Sequence, residues 1–259
     1  SVGVTIVFSD RLHLEDLTCS WNYYGIYFDS DDHDTHNNTI ESCEASYNID
    51  DGIYFYSGSG DDADDNLIAN CTISHNGDYG IYFYYPDKRN TIFNNTIHNN
   101  EDDGVYVYGS SSSNVDEMKL RHNSLSDNYY GAYLYYTIDA MIEHNEFNDN
   151  EYYGLYFRYG DLTEISNNSA MRNDNEGFYI YDAESTYINN NTAGKNGDNG
   201  MDIYKGLTSS FNGDITYNYL LMNDNNGIEL GSGYRVIRHN SFVGNTYYGL
   251  DVDGTYADD

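Results

Sequence analysis

The sequence predicts an all-β fold, a parallel β-helix (solenoid) of about ten to eleven coils, and three observations support that prediction. A short motif recurs along almost the whole chain. Apolar residues and asparagines recur at fixed distances before it. No stretch of ten or more residues carries an apolar face at helical spacing, whereas short apolar runs typical of strands are frequent. Together these features indicate one winding that is repeated many times.

The motif consists of an asparagine, a few polar or aromatic residues, a glycine and then an alternating apolar strand. It is clearest at Asn76–Phe83, which reads NGDYGIYF. Successive motif glycines are 27, 28, 24, 27, 23, 23, 23, 27 and 22 residues apart. The glycines are Gly25, Gly52, Gly80, Gly104, Gly131, Gly154, Gly177, Gly200, Gly227 and Gly249. A period of about 25 residues is typical of solenoids, so we expect one domain spanning residues 1–259.

Two kinds of inward column are expected to hold the coils together. Apolar residues recur twelve and seven positions before most motif glycines, and we expect them to fill the interior. A second asparagine recurs nine positions before the glycine in most coils. With coils stacked about 4.8 Å apart, these amides would bond to their neighbours as an internal ladder. The predicted ladder consists of Asn95, Asn123, Asn145, Asn168, Asn191, Asn218 and Asn240.

The motif glycine has its own predicted role. We expect it to mark a backbone φ that a side chain would not tolerate, at the corner that leads into the strand.

Charge excludes several classes of partner. The chain carries 43 acidic residues against 11 Lys plus Arg, for a net charge of −32. Such a field repels nucleic acids and anionic membranes and favours cations. No apolar run is long enough to span a bilayer, so no membrane insertion is expected.

The copies resemble the repeats of right-handed parallel β-helix proteins of the NosD-like, pectate-lyase-like superfamily, over about residues 3–253. The resemblance implies a right-handed coil but leaves function open, because this superfamily includes lyases, glycosidases, adhesins and inert surface proteins. The Asn-, Asp- and Tyr-rich composition is also similar to that of archaeal envelope proteins. An extracellular, cell-surface location is therefore expected.

Two columns of tyrosine are predicted on the outer face of the strand that follows the glycine, because alternate residues of a strand point to the same side. The columns consist of Tyr27, Tyr54, Tyr82, Tyr106, Tyr133, Tyr156 and Tyr179, and of Tyr56, Tyr84, Tyr108, Tyr135, Tyr181 and Tyr204. Stacking between strands alone would explain such columns. An aromatic patch of this extent also indicates a contact surface, for another copy of the chain or for a polysaccharide.

Near the C-terminal end the first of these columns continues as Asp202, Glu229 and Asp251. Carboxylates on adjacent coils raise each other's pKa or bind a cation such as Ca²⁺, which would then be the only cofactor. In pectinolytic β-helices, which these repeats resemble, acids on neighbouring coils perform catalysis. No basic residue is reliably placed beside these three, so solvated carboxylates are the preferred interpretation. The acidic loops Asp29–Asp34 and Asp61–Asp65 are weaker Ca²⁺ candidates.

Other candidate sites follow from position in the coil. Cys43 and Cys71 occupy the asparagine column on consecutive coils, within disulfide range if stacked, whereas Cys19 is expected to be a buried free thiol. His122, His144 and His239 share an outward column; a metal site there is less favoured than surface histidines. Asn-X-Ser/Thr sequons that face outward are candidate glycosylation sites: Asn37, Asn70, Asn94, Asn167 and Asn190.

These features favour a structural, non-enzymatic protein of the cell envelope. The chain begins and ends in strand-like segments without a capping helix, which predicts a longer array or end-to-end association. We therefore expect self-assembly into a sheath, surface layer or filament through the tyrosine columns and the solenoid ends. The alternative is a polysaccharide-binding or polysaccharide-cleaving module that uses the tyrosines together with Asp202, Glu229 and Asp251.

Overall fold

The computed structural model describes residues 1–30, 34–58, 63–204, 213–231 and 236–252. Within these ranges every regular element is a β-strand, and the strands wind into a parallel solenoid of about ten turns, as predicted. No helix in this part of the chain has the length and apolarity needed to cross a bilayer.

The first sheet has 11 strands, which are the strand Val4–Val7 and the ten strands that follow the motif glycines. Each strand pairs in parallel with its equivalents one coil before and one coil after. In chain order they are Val4–Val7, Ile26–Ser30, Ile53–Ser57, Ile81–Tyr84, Val105–Tyr108, Ala132–Tyr135, Leu155–Arg158, Phe178–Tyr181, Met201–Tyr204, Ile228–Leu230 and Leu250–Val252.

The second and third sheets, of 10 and 9 strands, form the other sides of the coil. The second sheet consists of His13–Glu15, Thr39–Glu41, Leu67–Ala69, Thr91–Phe93, Lys119–Arg121, Met141–Glu143, Glu164–Ser166, Tyr187–Asn189, Asp214–Thr216 and Val236–Arg238. The third consists of Glu44–Ser46, Thr72–Ser74, Thr96–His98, Ser124–Ser126, Glu146–Asn148, Ser169–Met171, Thr192–Gly194, Tyr219–Leu221 and Ser241–Val243. A small pair, Val115–Asp116 with Thr137–Ile138, lies between the first and second sheets along the chain.

Apolar columns fill the interior, because the residues that alternate with the outward side chains point into the coil. Phe28, Phe55 and Phe83 stack face to face with ring centroids 4.3 and 4.7 Å apart. All three rings are at most 1% exposed. Burying such a side chain contributes about 1.5–3 kcal/mol, so the columns supply most of the driving force for winding.

The predicted asparagine ladder is present between the second and third sheets. The Asn145 Oδ1 accepts hydrogen bonds from the backbone N–H and the side-chain amide of Asn123, at 2.9 and 3.0 Å. Its Nδ2 donates to the Leu120 carbonyl at 2.7 Å and to Asn168 Oδ1 at 3.1 Å. Two donated and two accepted bonds satisfy the amide in a site that water does not reach.

Two further asparagine columns stack in the same way. One is formed by the asparagine of the motif, in which Asn76 Nδ2 donates to Asn100 Oδ1 at 2.9 Å. The other precedes the second sheet in three early coils, through Asn38, Asn66 and Asn90. The asparagines of these columns are therefore hydrogen-bonded from one coil to the next.

The predicted reason for the motif glycine is wrong. Among the described glycines only Gly244 has a positive φ. A Cβ built on Gly104 would instead lie 2.6 Å from the Gly131 carbonyl oxygen and 2.8 Å from Asn128 Nδ2. Glycine is required because the backbone and the motif asparagine of the next coil occupy the space that a side chain would need.

Positive φ occurs instead at non-glycine residues in the turns between the sheets, including those on either side of the third sheet. Asn94 (φ 54°), His122 (φ 58°) and His144 (φ 57°) occupy one such column on consecutive coils. Asn, Asp and His tolerate this conformation better than most residues. Turn geometry therefore explains why these types recur at the outward positions of the sequons and histidines.

Candidate functional site

The outward side of the first sheet carries both predicted tyrosine columns, and we call this surface the tyrosine face. The register pairs Tyr27, Tyr54, Tyr82, Tyr106, Tyr133, Tyr156 and Tyr179 one after another across consecutive coils. The second column aligns Tyr56, Tyr84, Tyr108 and Tyr135, then Tyr181 and Tyr204. Alternation along each strand therefore placed these residues correctly from sequence.

The rings of the first column stack on each other from Tyr27 to Tyr156, whereas Tyr179 is tilted by 60° to Tyr156. Tyr82 lies 4.9 Å from Tyr54 and 5.1 Å from Tyr106 between centroids, with interplanar angles of 4° and 5°. The Tyr133–Tyr156 pair is closer, at 4.3 Å. Because neighbouring rings cover the ring faces, the column presents phenol edges and hydroxyl groups outward.

The second column is interrupted by Arg158, which takes the place of a tyrosine. Its guanidinium carbon lies 5.6 Å from the Tyr135 ring centroid, 5.0 Å from that of Tyr181 and 4.6 Å from that of Tyr159. Its Nη2 also donates to the Tyr159 hydroxyl at 3.0 Å. The cation thus continues the stack through cation–π contacts.

Tyr54 and Tyr82 of the first column remain uncharged over the physiological range. Burial, followed by the neighbouring phenols, raises the pKa of Tyr82 well above its ordinary value. The pKa of Tyr54 is raised for the same reasons. A neutral phenol hydroxyl can both donate and accept a hydrogen bond.

Buried aspartates lie at the edge of the tyrosine face where the chain enters the first sheet. Asp51 and Asp103 directly precede motif glycines and are 3% and 2% exposed. Their Oδ1 atoms accept hydrogen bonds from the backbone N–H of Tyr79 and of Tyr130, at 3.1 and 3.2 Å. Sequence analysis missed them because other coils place tyrosine, glutamate or asparagine at this position.

The preceding residues extend these aspartates into an acid row made of Asp50, Asp51, Asp78, Asp102 and Asp103. The carboxylate oxygens of Asp50, Asp51 and Asp78 lie within 4.8 Å of one another. Burial, followed by nearby carboxylates, raises the pKa of Asp51 to about 8 and that of Asp78 to about 7. An all-oxygen set of this kind holds protons at neutral pH or attracts a hard cation.

The predicted carboxylate column is also present, with Asp202, Glu229 and Asp251 aligned on consecutive strands. Burial, followed by the Glu229 charge, raises the pKa of Asp202 to about 7. Glu229 Oε2 accepts a hydrogen bond from Asn199 Nδ2 at 3.1 Å. Within the described ranges these three carboxylates do not form a group whose ligand atoms all lie within 4.8 Å, so metal binding by them stays a prediction.

Glu176, which sequence analysis did not select, is buried beside this column. It is 5% exposed, and its Oε2 has no donor within hydrogen-bond distance. Burial, followed by the Asp198 and Asp202 charges, raises its pKa to about 8. The group therefore carries a proton at neutral pH.

The cysteines are free thiols in the structure, so the disulfide predicted between Cys43 and Cys71 is not formed. The sulfurs substitute for ladder amides instead. Cys71 Sγ accepts from the Cys43 backbone N–H at 3.4 Å, and Cys43 Sγ donates to the Glu41 carbonyl at 3.2 Å. Cys19 is buried, as expected. Burial raises the pKa of Cys71 to about 12, which keeps it protonated.

The five candidate glycosylation sites, Asn37, Asn70, Asn94, Asn167 and Asn190, are all exposed. Several of these amides pair along the column; Asn94 Nδ2, for example, donates to Asn70 Oδ1 at 2.7 Å. Glycosylation of these residues stays a prediction.

The His122 and His144 rings stack in parallel at 4.8 Å. Of the two acidic loops, Asp31, Asp32, Asp61 and Asp62 lie outside the described residues.

Two family models match the chain, each over more than half of its length. The model described as "Right handed beta helix region" matches residues 113–258. The model described as "Periplasmic copper-binding protein (NosD)" matches residues 1–151. No curated protein matches the sequence.

Solved structures share the fold at low sequence identity. A variant of the periplasmic alginate epimerase AlgG is 15% identical with a TM-score of 0.59, over 92% of this chain and 61% of that one. The A-module of mannuronan C-5 epimerase AlgE4 from Azotobacter vinelandii is 14% identical with a TM-score of 0.58, over 98% and 88%. The Dettilon tailspike protein is 14% identical with a TM-score of 0.61, over 95% and 60%. The chain thus spans less than two thirds of the first of these.

The description of the NosD model names copper, so the candidate donor sets of this chain can be compared with the ligands that copper prefers. The buried thiols do not fit, because they are protonated and bonded to backbone groups. His13, Glu15 and Glu41 do fit: one imidazole nitrogen and two carboxylates have ligand atoms within 4.8 Å of one another. Mixed nitrogen and oxygen donors of this kind suit a divalent copper ion.

Proposed function

This chain belongs to the right-handed β-helix family and to the NosD family, and from that premise we propose that it is an envelope protein that binds an uncharged polysaccharide along its tyrosine face. The periplasmic description of the NosD model supports a location outside the cytoplasm.

One observation carries the proposal: the first tyrosine column runs unbroken over seven consecutive coils, partly exposed and uncharged. Its rings repeat every 4.3–5.3 Å. A polysaccharide likewise repeats hydroxyl groups along an extended axis. A periodic row of phenol hydroxyls on a flat apolar sheet can therefore donate to and accept from successive sugars.

Charge indicates which polymers fit. With a net charge of −32, the protein repels acidic polysaccharides except where cations screen them. An uncharged polymer meets no such penalty. Two of the structural relatives are named as epimerases of polymeric substrates, which supports a polymer-facing role for this fold without identifying the polymer here.

Self-assembly into a sheath, layer or filament is the competing function, because two flat tyrosine faces could also pack together. The same charge of −32 opposes association of identical copies unless divalent cations are present. No reaction forms part of the proposal. Cleavage at Asp202 and Glu229 would be detected as new reducing ends in polysaccharide that has been incubated with the chain.

The test is affinity electrophoresis of the purified chain in gels containing neutral or acidic polysaccharides. We expect retardation by at least one neutral polymer, and about 10-fold weaker binding for Tyr82→Ala/Tyr106→Ala, a loss of about 1.4 kcal/mol. The control is Tyr187→Ala/Tyr217→Ala, which removes two tyrosines that are 50% and 55% exposed outside the face. Equal retention of both variants would contradict the proposal. Ca²⁺-dependent polymers in sedimentation, without glycan binding, would favour assembly instead.

A further inference from the structure

A second cluster lies away from the tyrosine face, on the outward side of the second sheet. His13 and Glu15 are alternate residues of the strand His13–Glu15, so their side chains project from the same side. Glu41 belongs to the next strand and is the direct register partner of Glu15. The backbone thus presents one imidazole and two carboxylates from two adjacent coils.

The geometry of the cluster suits a set of metal ligands, and a protonated His13 would also form an ion pair with Glu41. His13 Nε2 lies 3.6 Å from Glu41 Oε2, too far for a hydrogen bond. Ligand atoms of all three residues lie within 4.8 Å of one another. The other oxygen of Glu41 accepts a hydrogen bond from Asn70 Nδ2 at 3.1 Å, from the following coil. This outer bond orients Glu41 and leaves Oε2 directed at the imidazole.

The pairing of Glu15 with Glu41 needs an explanation. Like charges directly opposite each other on paired strands are destabilising. Arg11, the nearest arginine in sequence, forms its ion pair with Asp10 instead. A cation shared by the two carboxylates would remove the repulsion, and the overall charge of −32 raises the local cation concentration.

We infer that His13, Glu15 and Glu41 form a binding site for a divalent transition-metal ion. Nitrogen from imidazole together with carboxylate oxygen suits copper, zinc and nickel, whereas Ca²⁺ and Mg²⁺ prefer all-oxygen sets such as the acid row. The His13 and Glu41 side chains are 52% and 36% exposed, so water completes the coordination. Among divalent ions of the first row, Cu²⁺ binds such donors most tightly, which makes it the most sensitive probe.

The test is titration of the metal-free chain with Cu²⁺, followed by calorimetry and by electron paramagnetic resonance. We expect a site with nitrogen and oxygen ligation whose nitrogen hyperfine signal disappears in His13→Ala, with affinity at least about 10-fold weaker. Glu41→Gln should weaken binding but keep the nitrogen signal. A large excess of Ca²⁺ should not displace the copper.

His144→Ala is the matched control, because His144 lies on the same solenoid but stacks on His122 without forming part of this ligand set. Its copper affinity and spectrum should match those of the unaltered chain. Thermal unfolding of the metal-free variants should also be unchanged, since His13 is largely exposed. If His13→Ala retains affinity and spectrum, or if His144→Ala is the variant that loses them, the assignment is wrong.

Discussion

The interior asparagine ladder and the exterior tyrosine face are built by the same rule but have different consequences. Both repeat one residue type once per coil along the solenoid. The ladder amides from Asn95 to Asn218 are buried and hydrogen-bonded to neighbouring coils; Asn145, for example, is 1% exposed. The tyrosines are partly exposed, and neighbouring rings support them mainly by stacking.

This comparison teaches how to separate fold from function in a repeat protein. A repeated residue whose polar groups are all satisfied internally is needed for winding, because its loss leaves buried groups without partners. A repeated residue whose hydroxyl remains at the surface contributes less to stability and remains free to bind. Substitution of a ladder residue should therefore lower the free energy of unfolding more than substitution of a surface tyrosine.

The largest effect is expected for Asn145→Ala. The substitution leaves the backbone N–H and the amide of Asn123 without their common acceptor, and the Leu120 carbonyl without its side-chain donor. At about 1–3 kcal/mol per buried group left unbonded, we expect a loss of about 3–5 kcal/mol in urea unfolding.

Cys71→Asn is the control, and it should change the free energy of unfolding in the opposite direction. It replaces the weak sulfur acceptor for the Cys43 backbone N–H with an amide oxygen, so stability should rise by about 1 kcal/mol. A loss for Cys71→Asn similar to that of Asn145→Ala would show that the ladder amides are not what stabilises the column.

An intermediate, pH-dependent effect is expected at Glu176, which is buried like the ladder but lacks a donor for Oε2. Its pKa is raised to about 8 in the folded protein, against about 4.3 when unfolded. The folded state therefore binds the proton more tightly, and this residue's contribution to stability falls as pH rises from about 4 to 8. Glu176→Gln removes the titration and should add about 1–2 kcal/mol at pH 8.5 relative to pH 4.5.

Urea unfolding at the two pH values measures the effect. Glu146→Gln, which alters an exposed carboxylate on the third sheet, is the matched control for the loss of one carboxylate. A pH-independent effect of Glu176→Gln would mean that Glu176 is ionised in the folded protein.

The smallest effect is expected for Tyr84→Ala on the tyrosine face. Its ring stacks between Tyr56 and Tyr108 at 5.4 and 5.6 Å and is partly exposed. We expect a loss of about 0.5–2 kcal/mol, because the substitution removes two cross-strand aromatic pairs and each contributes about 0.2–1 kcal/mol.

The neighbouring residue supplies the contrast. Phe83 points inward from the same strand and is fully buried, so Phe83→Ala should cost about 3–5 kcal/mol. Comparable losses for the two variants would mean that the tyrosine face is part of the core rather than a binding surface.

The sequence by itself determined the period, the strand after each glycine, the ladder from Asn95 to Asn240 and the outward tyrosine columns. These features depend on local alternation and on one spacing repeated coil after coil, so position along the chain predicts which residues stack.

Only the tertiary structure decided the rest, because it depends on how neighbouring coils meet. The carbonyl oxygen of the next coil leaves no room for a side chain at the motif glycine. A φ preference does not predict this contact. Burial raises the pKa of Asp51 and of Glu176 to about 8, so that both are protonated at neutral pH. Other coils carry other residues at these positions, so the repeat pattern did not reveal them. The proximity of His13, Glu15 and Glu41 likewise arises from the register between two strands. In that register Glu15 lies opposite Glu41, which is 26 residues later in the sequence. Contacts between coils, and the water they exclude, are properties of the stack rather than of any single repeat.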